Sequence, residues 1–293
     1  MVKYIEKIWK DKMWYFYISP AFILILVFLF YPVAESFRLS FFLSDLNYEE
    51  FVKLDNYKYI LTDAKFWKAV YNTFYMGFFH VVFGVISAIA LAIVLNNIKI
   101  GKNIFRFVYF LPFVTTIVAI SIIWSFMFDV DFGAFNFILT SLGLPKLKWV
   151  ASPKTAKISI VMMTVWRGLG YRMIIALAGL QAIPSSLYEA AEIDGANRWQ
   201  QIKSITLPLL KPTIAFLVVT STIASFQRFD SVYLFGTELG FPSRSLSTIT
   251  LYLYEHGFMY NQFGLASSAA YVLFILILIV TVLNLTVFKE NNY

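Results

Sequence analysis

The feature that most constrains this chain is a succession of apolar runs, each close to the roughly 20 residues a helix needs to cross a bilayer's hydrocarbon core. They occupy about 14–37, 71–95, 104–126, 158–180, 211–235 and 263–288. Lipid offers the backbone no hydrogen-bond partners, so a run of this length has to satisfy its own peptide groups as a helix. Composition agrees: 59% of the 293 residues are hydrophobic and 14% are charged, far from an ordinary soluble domain. The fold class that follows is an all-α polytopic membrane protein with six spans. No internal repeat argues for inverted halves.

Several chemistries are excluded early. The net charge of +7 comes from basic residues scattered among apolar segments, with no stripe to meet nucleic acid, so their role is orientation and contact with anionic lipid. There is no cysteine, hence no disulfide framework, thiolate metal site or thiol catalysis. His80 and His256 lie in unrelated segments and make no metal pair, and His80 reads as a structural residue of an apolar helix. Gly101-Lys102-Asn103 fails as a phosphate loop, because Asn96 stands five residues before Gly101 and no Ser or Thr follows Lys102. No paired carboxylates and no nucleophile with its base are visible, so the chain is not read as an enzyme. No cofactor or metal is expected in it.

The first span follows Lys3, Lys7, Lys10 and Lys12, a flank that also suits a signal peptide. The run is too long and too aromatic for an h-region of 7–15 residues, so a retained helix is expected, with 1–13 as a short tail. Pro20 and Pro32 sit toward the span's two ends, where a missing N–H costs least. The stretches 39–68, 129–157 and 236–261 read as outer loops. The second carries Gly133, Asn136, Gly143, Pro145 and Pro153, turn chemistry throughout. The short regions 1–13 and 96–102, the latter with Lys99, Lys102 and nearby Arg106, are the lysine-dense ones for their length. The positive-inside rule then puts both termini in the cytoplasm.

Between the fourth and fifth spans lies a polar island, 181–208, that is punctuated like a folded element. Ser186 with Glu189 reads as a capping box, opening a helix over 187–194 that Gly195 ends in the left-handed conformation. Asn197 with Gln200 repeats the box, and a second short helix runs toward Pro208, expected to stop it. An amphipathic helix lying on lipid would carry Lys and Arg on its polar face. This one carries Glu189, Glu192 and Asp194, and no base between 187 and 195.

Glu189-Ala190-Ala191, then Gly195, Ile205 and Leu207-Pro208 at their spacing, resembles the EAA loop of ABC-importer permeases. The stretch from Phe51 through Tyr57, then Phe66-Trp67 and Asn72-Thr73, is similar to the segment before the second span in the carbohydrate-uptake branch of that family, and Trp149 to Pro153 to the segment before the fourth. The resemblance covers most of the chain and implies the type I importer fold, with six spans over 14–293 and a cytoplasmic coupling loop at 181–208. It implies a membrane permease of bacteria or archaea working with a homologous second permease, a dimeric ATPase that holds ATP and magnesium, and an external solute-binding protein. A carbohydrate cargo (oligosaccharide, glycoside, polyol or sugar phosphate) is implied with it. In that reading Glu189, Ala190, Ala191, Asp194, Gly195, Ile205, Leu207 and Pro208 couple the spans to the ATPase. One departure is the outer loop after the fifth span, where Gly236 to Arg244 lacks the family's Gly-Gly-Pro run.

Charges within the spans are functional candidates because burial without a partner is costly. Arg167 and Arg172 fall in the fourth span, where Arg172 could simply snorkel or bond helix carbonyls, and Arg228 in the fifth, two residues before Asp230, with which it could simply pair. Otherwise the three arginines form a polar wall on a central aqueous cavity. By distance from the loop the resemblance places cargo-facing positions at Gly168, Tyr171, Ser225 and Arg228. Thr115 and Thr116, following Leu111-Pro112, are added on the third span. A cation at Arg228 favours an acidic or phosphorylated cargo. The alternative is an ATP-independent secondary transporter or channel, for which the spans hold few Asp or Glu to couple ions.

Overall fold

The computed structural model describes residues 2–46, 48–98, 100–236 and 240–289, and the side chains of 13–288 within them. The expectations that fall on Lys99 and on 237–239, including the centre of the departing outer loop, lie outside the described residues. The chain divides into two compact units, Met1–Thr62 with His256–Tyr271, and Asp63–Glu255 with Val272–Tyr293.

The first unit opens as helix α1 (Val2–Ile25), widens through a π turn at Leu26–Phe30 and continues as α2 (Tyr31–Leu39). The stretch expected as a tail is thus helical, and Pro20 lies inside the helix instead of near its end. The missing N–H of Pro20 would have bonded to the Phe16 carbonyl, and the Ser19 hydroxyl donates to that carbonyl instead, at 2.8 Å. Met13–Leu39 holds a long apolar window none of which is buried, the condition of a helix solvated by lipid. A two-stranded hairpin follows, β1 (Phe42–Ser44) on β2 (Glu49–Phe51), with Phe42 opposite Phe51. Next comes α3 (Asp55–Thr62). Buried Asn56 donates to the carbonyls of Ser40 (3.0 Å) and Phe42 (2.8 Å), which pins α3 to the end of α2. The first turns of the last helix join them: Ser268 donates to the Ser40 carbonyl at 3.1 Å, and Gly264 lies so close to the Phe42 carbonyl that a side chain would not fit.

In the second unit α4 (Ala64–Asn97) is a single 34-residue helix, capped by Asp63 accepting from the Lys65 amide at 2.8 Å. After it come α5 (Lys102–Val114), α6 (Ile117–Met127), α7 (Ala134–Ser141) and α8 (Ala156–Gln181). The polar loop forms α9 (Ser185–Ile193), α10 (Arg198–Gln201), a π turn at Ile202–Thr206 and α11 (Leu207–Leu209). Then follow α12 (Lys211–Phe226), α13 (Asp230–Gly236), α14 (Ile249–Tyr254) and α15 (Phe263–Lys289), whose first turns belong to the other unit. The core is the seam where α4 and α8 run together, with α12 against α4. Ala88, Ala92 and Ala176 are wholly buried there among Leu95, Met173, Leu177, Leu210 and Leu217. Small residues let backbones approach in a medium that gives apolar side chains no other reason to associate. On the same principle Gly170 of α8 lies against the Tyr109 carbonyl of α5.

Among the described residues four helices are long and apolar enough to cross a membrane unaided, and up to six spans result if each of two bent pairs counts as one. The first bend corrects one expectation, and the end of α12 corrects another. The third span is not continuous: α5 and α6 meet at 97° across Thr115 and Thr116. The fifth does not run to 235 but ends at Phe226, and the chain leaves the helix at Gln227 before α13 begins. The segment 129–155 between α6 and α8 is held by buried Asn136. Its amide donates to the carbonyls of Val130 (3.0 Å) and Leu147 (2.9 Å) and accepts from the Leu147 amide and the Trp149 indole, both at 3.0 Å.

Candidate functional site

Both helix breaks open onto one cavity of about 460 Å³ within the second unit. Backbone groups freed in a membrane helix have to be satisfied by neighbours, and here side chains do it. At the first break Thr115 donates to the Leu111 carbonyl (2.9 Å) and Thr116 caps α6 by accepting from the Ala119 amide (3.3 Å). The carbonyls of Phe113 and Thr115 accept from Arg167 at 3.3 and 3.4 Å. At the second break the Arg228 carbonyl accepts from the hydroxyls of Thr248, at 3.1 Å, and Thr250.

Of the positions expected to face a cargo, Gly168, Tyr171 and Arg228 line this cavity. Ser225 does not: it is buried and spends its hydroxyl on the Ser221 carbonyl at 2.6 Å. Thr115 and Thr116 do not either, because their hydroxyls serve the break. Phe113 and Ile117 take their place on the wall. Arg167 and Arg172 reach it as expected of a polar wall. Sequence reasoning missed Thr164, Thr220, Ser221, Gln227 and Asp230. For Thr164 a signal was present, since it stands one helical turn before Gly168 on the same face.

The expected pairing of Arg228 with Asp230 is not formed among the described residues, although both line the cavity. Arg172 is only 6% exposed and lies against two glycines: a Cβ on Gly168 would come 2.6 Å from its Nη1, and one on Gly84 would come 3.0 Å from its Cζ. It donates to the Val165 carbonyl (2.9 Å) and, from Nη1, to His80 Nε2 (3.2 Å). A guanidinium has only donors, so His80 Nε2 is the acceptor and its Nδ1–H faces the Thr164 hydroxyl at 3.2 Å. His80 is therefore structural, as read, and a wall residue as well. On the same wall the rings of Phe113 and Tyr171 stack with centroids 4.6 Å apart and planes 12° from parallel, and the Arg167 guanidinium lies 5.8 Å from the Phe113 ring centre. The Nε atoms of Arg167, Arg172 and Arg228 are buried and reach no acceptor among the described residues.

The second candidate site is the polar loop. Helix α9 has no buried residue, and Ile193 at its end is 87% exposed. Glu189, Ala190, Asp194, Gly195, Leu207 and Pro208 are exposed, while Ala191 and Ile205 are half-buried. Gly195 adopts φ +79°, and the amides of Gly195 and Ala196 bond to the carbonyls of Glu192 (3.1 Å) and Ala191 (2.8 Å), a Schellman ending. Asn197 and Gln200 form the expected box, at 2.7 and 3.0 Å. The Ser186–Glu189 box is absent: the helix starts two residues early, at Ser185 with Pro184 in the cap position, which puts Ser186 inside it, where a capping side chain has no use. Pro208 does not stop the second helix. It falls in the first turn after the π segment, where no N–H is needed, and the chain turns at Leu210, 66° between the flanking segments. Tyr188 and Thr206 join the loop's two arms through their hydroxyls at 3.0 Å.

Residues 80–288 match the family described as binding-protein-dependent transport system inner membrane component. Over 98% of this chain and 97% of its own length, the lactose transport system permease protein LacF of Rhizobium radiobacter is 35% identical. The trehalose/maltose permease MalF of Thermococcus litoralis is 33% identical over 95% of this chain and 94% of its own. In fold the chain is similar to a bacterial ABC transporter involved in the import of the acidic polysaccharide alginate, at a TM-score of 0.82 and 22% identity over 99% of this chain and 100% of that one. The family match spans both helix breaks and the loop between the fourth and fifth spans, and the relatives align almost end to end. This chain belongs to the binding-protein-dependent transport system inner membrane components, the membrane-embedded permeases of ABC importers.

Proposed function

We propose that the chain is one of two homologous permeases in an importer of bacteria or archaea that carries a carbohydrate inward. An external binding protein delivers the cargo, and a dimeric ATPase holding ATP and magnesium supplies the work. Residues 1–13 form the cytoplasmic tail, 14–293 the permease domain and 181–208 the coupling loop. Both termini and that loop are cytoplasmic. Lys102, Arg106, Arg198, Lys203 and Lys211 stand at or beside the ends of α5, α10 and α12, as the positive-inside rule asks. The sugar cargo is supported by the relatives' names and by a wall that offers stacked rings to CH faces and polar groups to hydroxyls.

The observation that carries the coupling role is α9 itself, rigidified at its C-terminal end and by the Tyr188–Thr206 link, yet burying nothing within its own chain. A helix prepared that way is suited to insertion into a partner's groove. Ala190 and Ala191 keep its face low, Glu189 and Asp194 give it charge, and Gly195 makes the turn. Ile205, Leu207 and Pro208 set the return arm. The test is co-purification of the complete complex. Glu189→Lys and Gly195→Trp should each strip the ATPase from the permeases and stop uptake, and retention of both would refute the assignment.

A further inference from the structure

We propose that the cargo is an anionic saccharide, one bearing a carboxylate, sulfonate or phosphate, and that Arg228, Arg172 and Arg167 receive its charge while Tyr171 and Phe113 receive a ring face. This rests on the importer reading above and narrows it.

The wall of the cavity carries three guanidinium groups and one carboxylate, Asp230. None of the three arginines is in an ion pair among the described residues. Two of them are almost out of reach of solvent, Arg172 at 6% and Arg228 at 8% exposed. Arg167 and Arg172 spend part of their donor capacity on two broken-helix carbonyls, the Val165 carbonyl and His80. Each still keeps a buried Nε–H without an acceptor, and Arg228 does too. Burying a cation without a counter-charge is costly, and three on one cavity also repel one another. A neutral sugar would satisfy donors but leave that excess charge in place. An anion answers both, and guanidinium forks match the planar or tetrahedral oxygens of such groups. The architecture holds the charges there deliberately. Gly84 and Gly168 clear the volume Arg172 fills, and the helix break at Gln227 lets Arg228 turn into the cavity. The stacked Phe113–Tyr171 pair makes the site one for a sugar rather than for a bare ion. A volume of about 460 Å³ is within the usual range of small-molecule sites.

The experiment is uptake by the complete importer reconstituted in vesicles of neutral phosphatidylcholine, so that no anionic lipid headgroup can serve as the counter-ion. The probes are matched pairs: digalacturonate with its carboxyl-reduced digalactoside, and trehalose 6-phosphate with trehalose. The expected result is that the acidic member of at least one pair is carried at least about tenfold faster, the value of one charge-assisted hydrogen bond. Arg228→Gln should erase that preference, and Arg228→Lys should keep part of it, with both variants present at wild-type level in the vesicles. A preference for the neutral members, no uptake of any acidic probe, or an equal loss for both members of the preferred pair in Arg228→Gln would overturn the proposal. Restoration of uptake only when phosphatidylglycerol is added would also overturn it, by assigning the arginines to lipid. Glu189→Lys in the same vesicles separates the two readings: it should abolish all uptake, and if it does not, it is the importer assignment that has failed.

Discussion

At the scale of single residues, polar side chains in this protein mostly complete the backbone. Asn136 joins the Val130 and Leu147 carbonyls to the Leu147 amide and the Trp149 indole, and it is 1% exposed. Asn136→Ala removes those partners at one stroke, and the buried groups left behind should cost about 2–4 kcal/mol. The thermal midpoint of the purified protein should fall by several degrees, whereas a similar substitution at exposed Asn97 should leave it in place. From the sequence Asn136 was legible as turn chemistry but not as the tie of its loop. An asparagine's donors and acceptor carry no address, and only the fold brings residues 130, 147 and 149 to one amide.

Elements tell the same story one level up. The helical runs were readable because lipid imposes one answer on any long apolar stretch; α8 and α15 overrun their expected ends by one or two residues, while α4 begins two turns early, at Ala64. The breaks were not readable. Thr115-Thr116 and Gln227-Arg228-Phe229 lie in sequence that hydropathy alone continues through, and what makes each break tolerable is a donor from elsewhere: Arg167 for the first, Thr248 and Thr250 for the second. The loop was half legible. Gly195 and the Asn197–Gln200 box depend on local geometry and formed as read, whereas Ser186 lost its capping role to Pro184 by a shift of two residues. Gly195→Ala at φ +79° and Asn197→Ala should each loosen the loop by about 1 kcal/mol. Amide exchange over residues 185–201 should then quicken severalfold while α4 and α8 stay protected.

For the whole molecule the decisive question is which end faces the cytoplasm. The chain has no cysteine, so single cysteines report without background. A cysteine replacing Ile193, 87% exposed in the polar loop, should react with an impermeant maleimide in inside-out vesicles and not in intact cells. One replacing Phe137, 75% exposed in the segment after the third span, should behave the opposite way. The reverse pattern would place the polar loop outside and remove the basis of the proposed mechanism.

What the sequence determined by itself is everything that follows from a local or periodic rule: the apolar spans, the capped and glycine-terminated loop, and the family signature that the loop carries. What only the tertiary structure decided is the cavity. Arg167, Arg172 and Arg228 lie up to sixty-one residues apart in the chain, and although their burial in the spans raised the expectation of a shared polar wall, nothing in their spacing says that they meet there without a carboxylate partner among the described residues. That follows from where two helices break and from which glycines leave room, and both are settled by the neighbours a segment meets after it has folded.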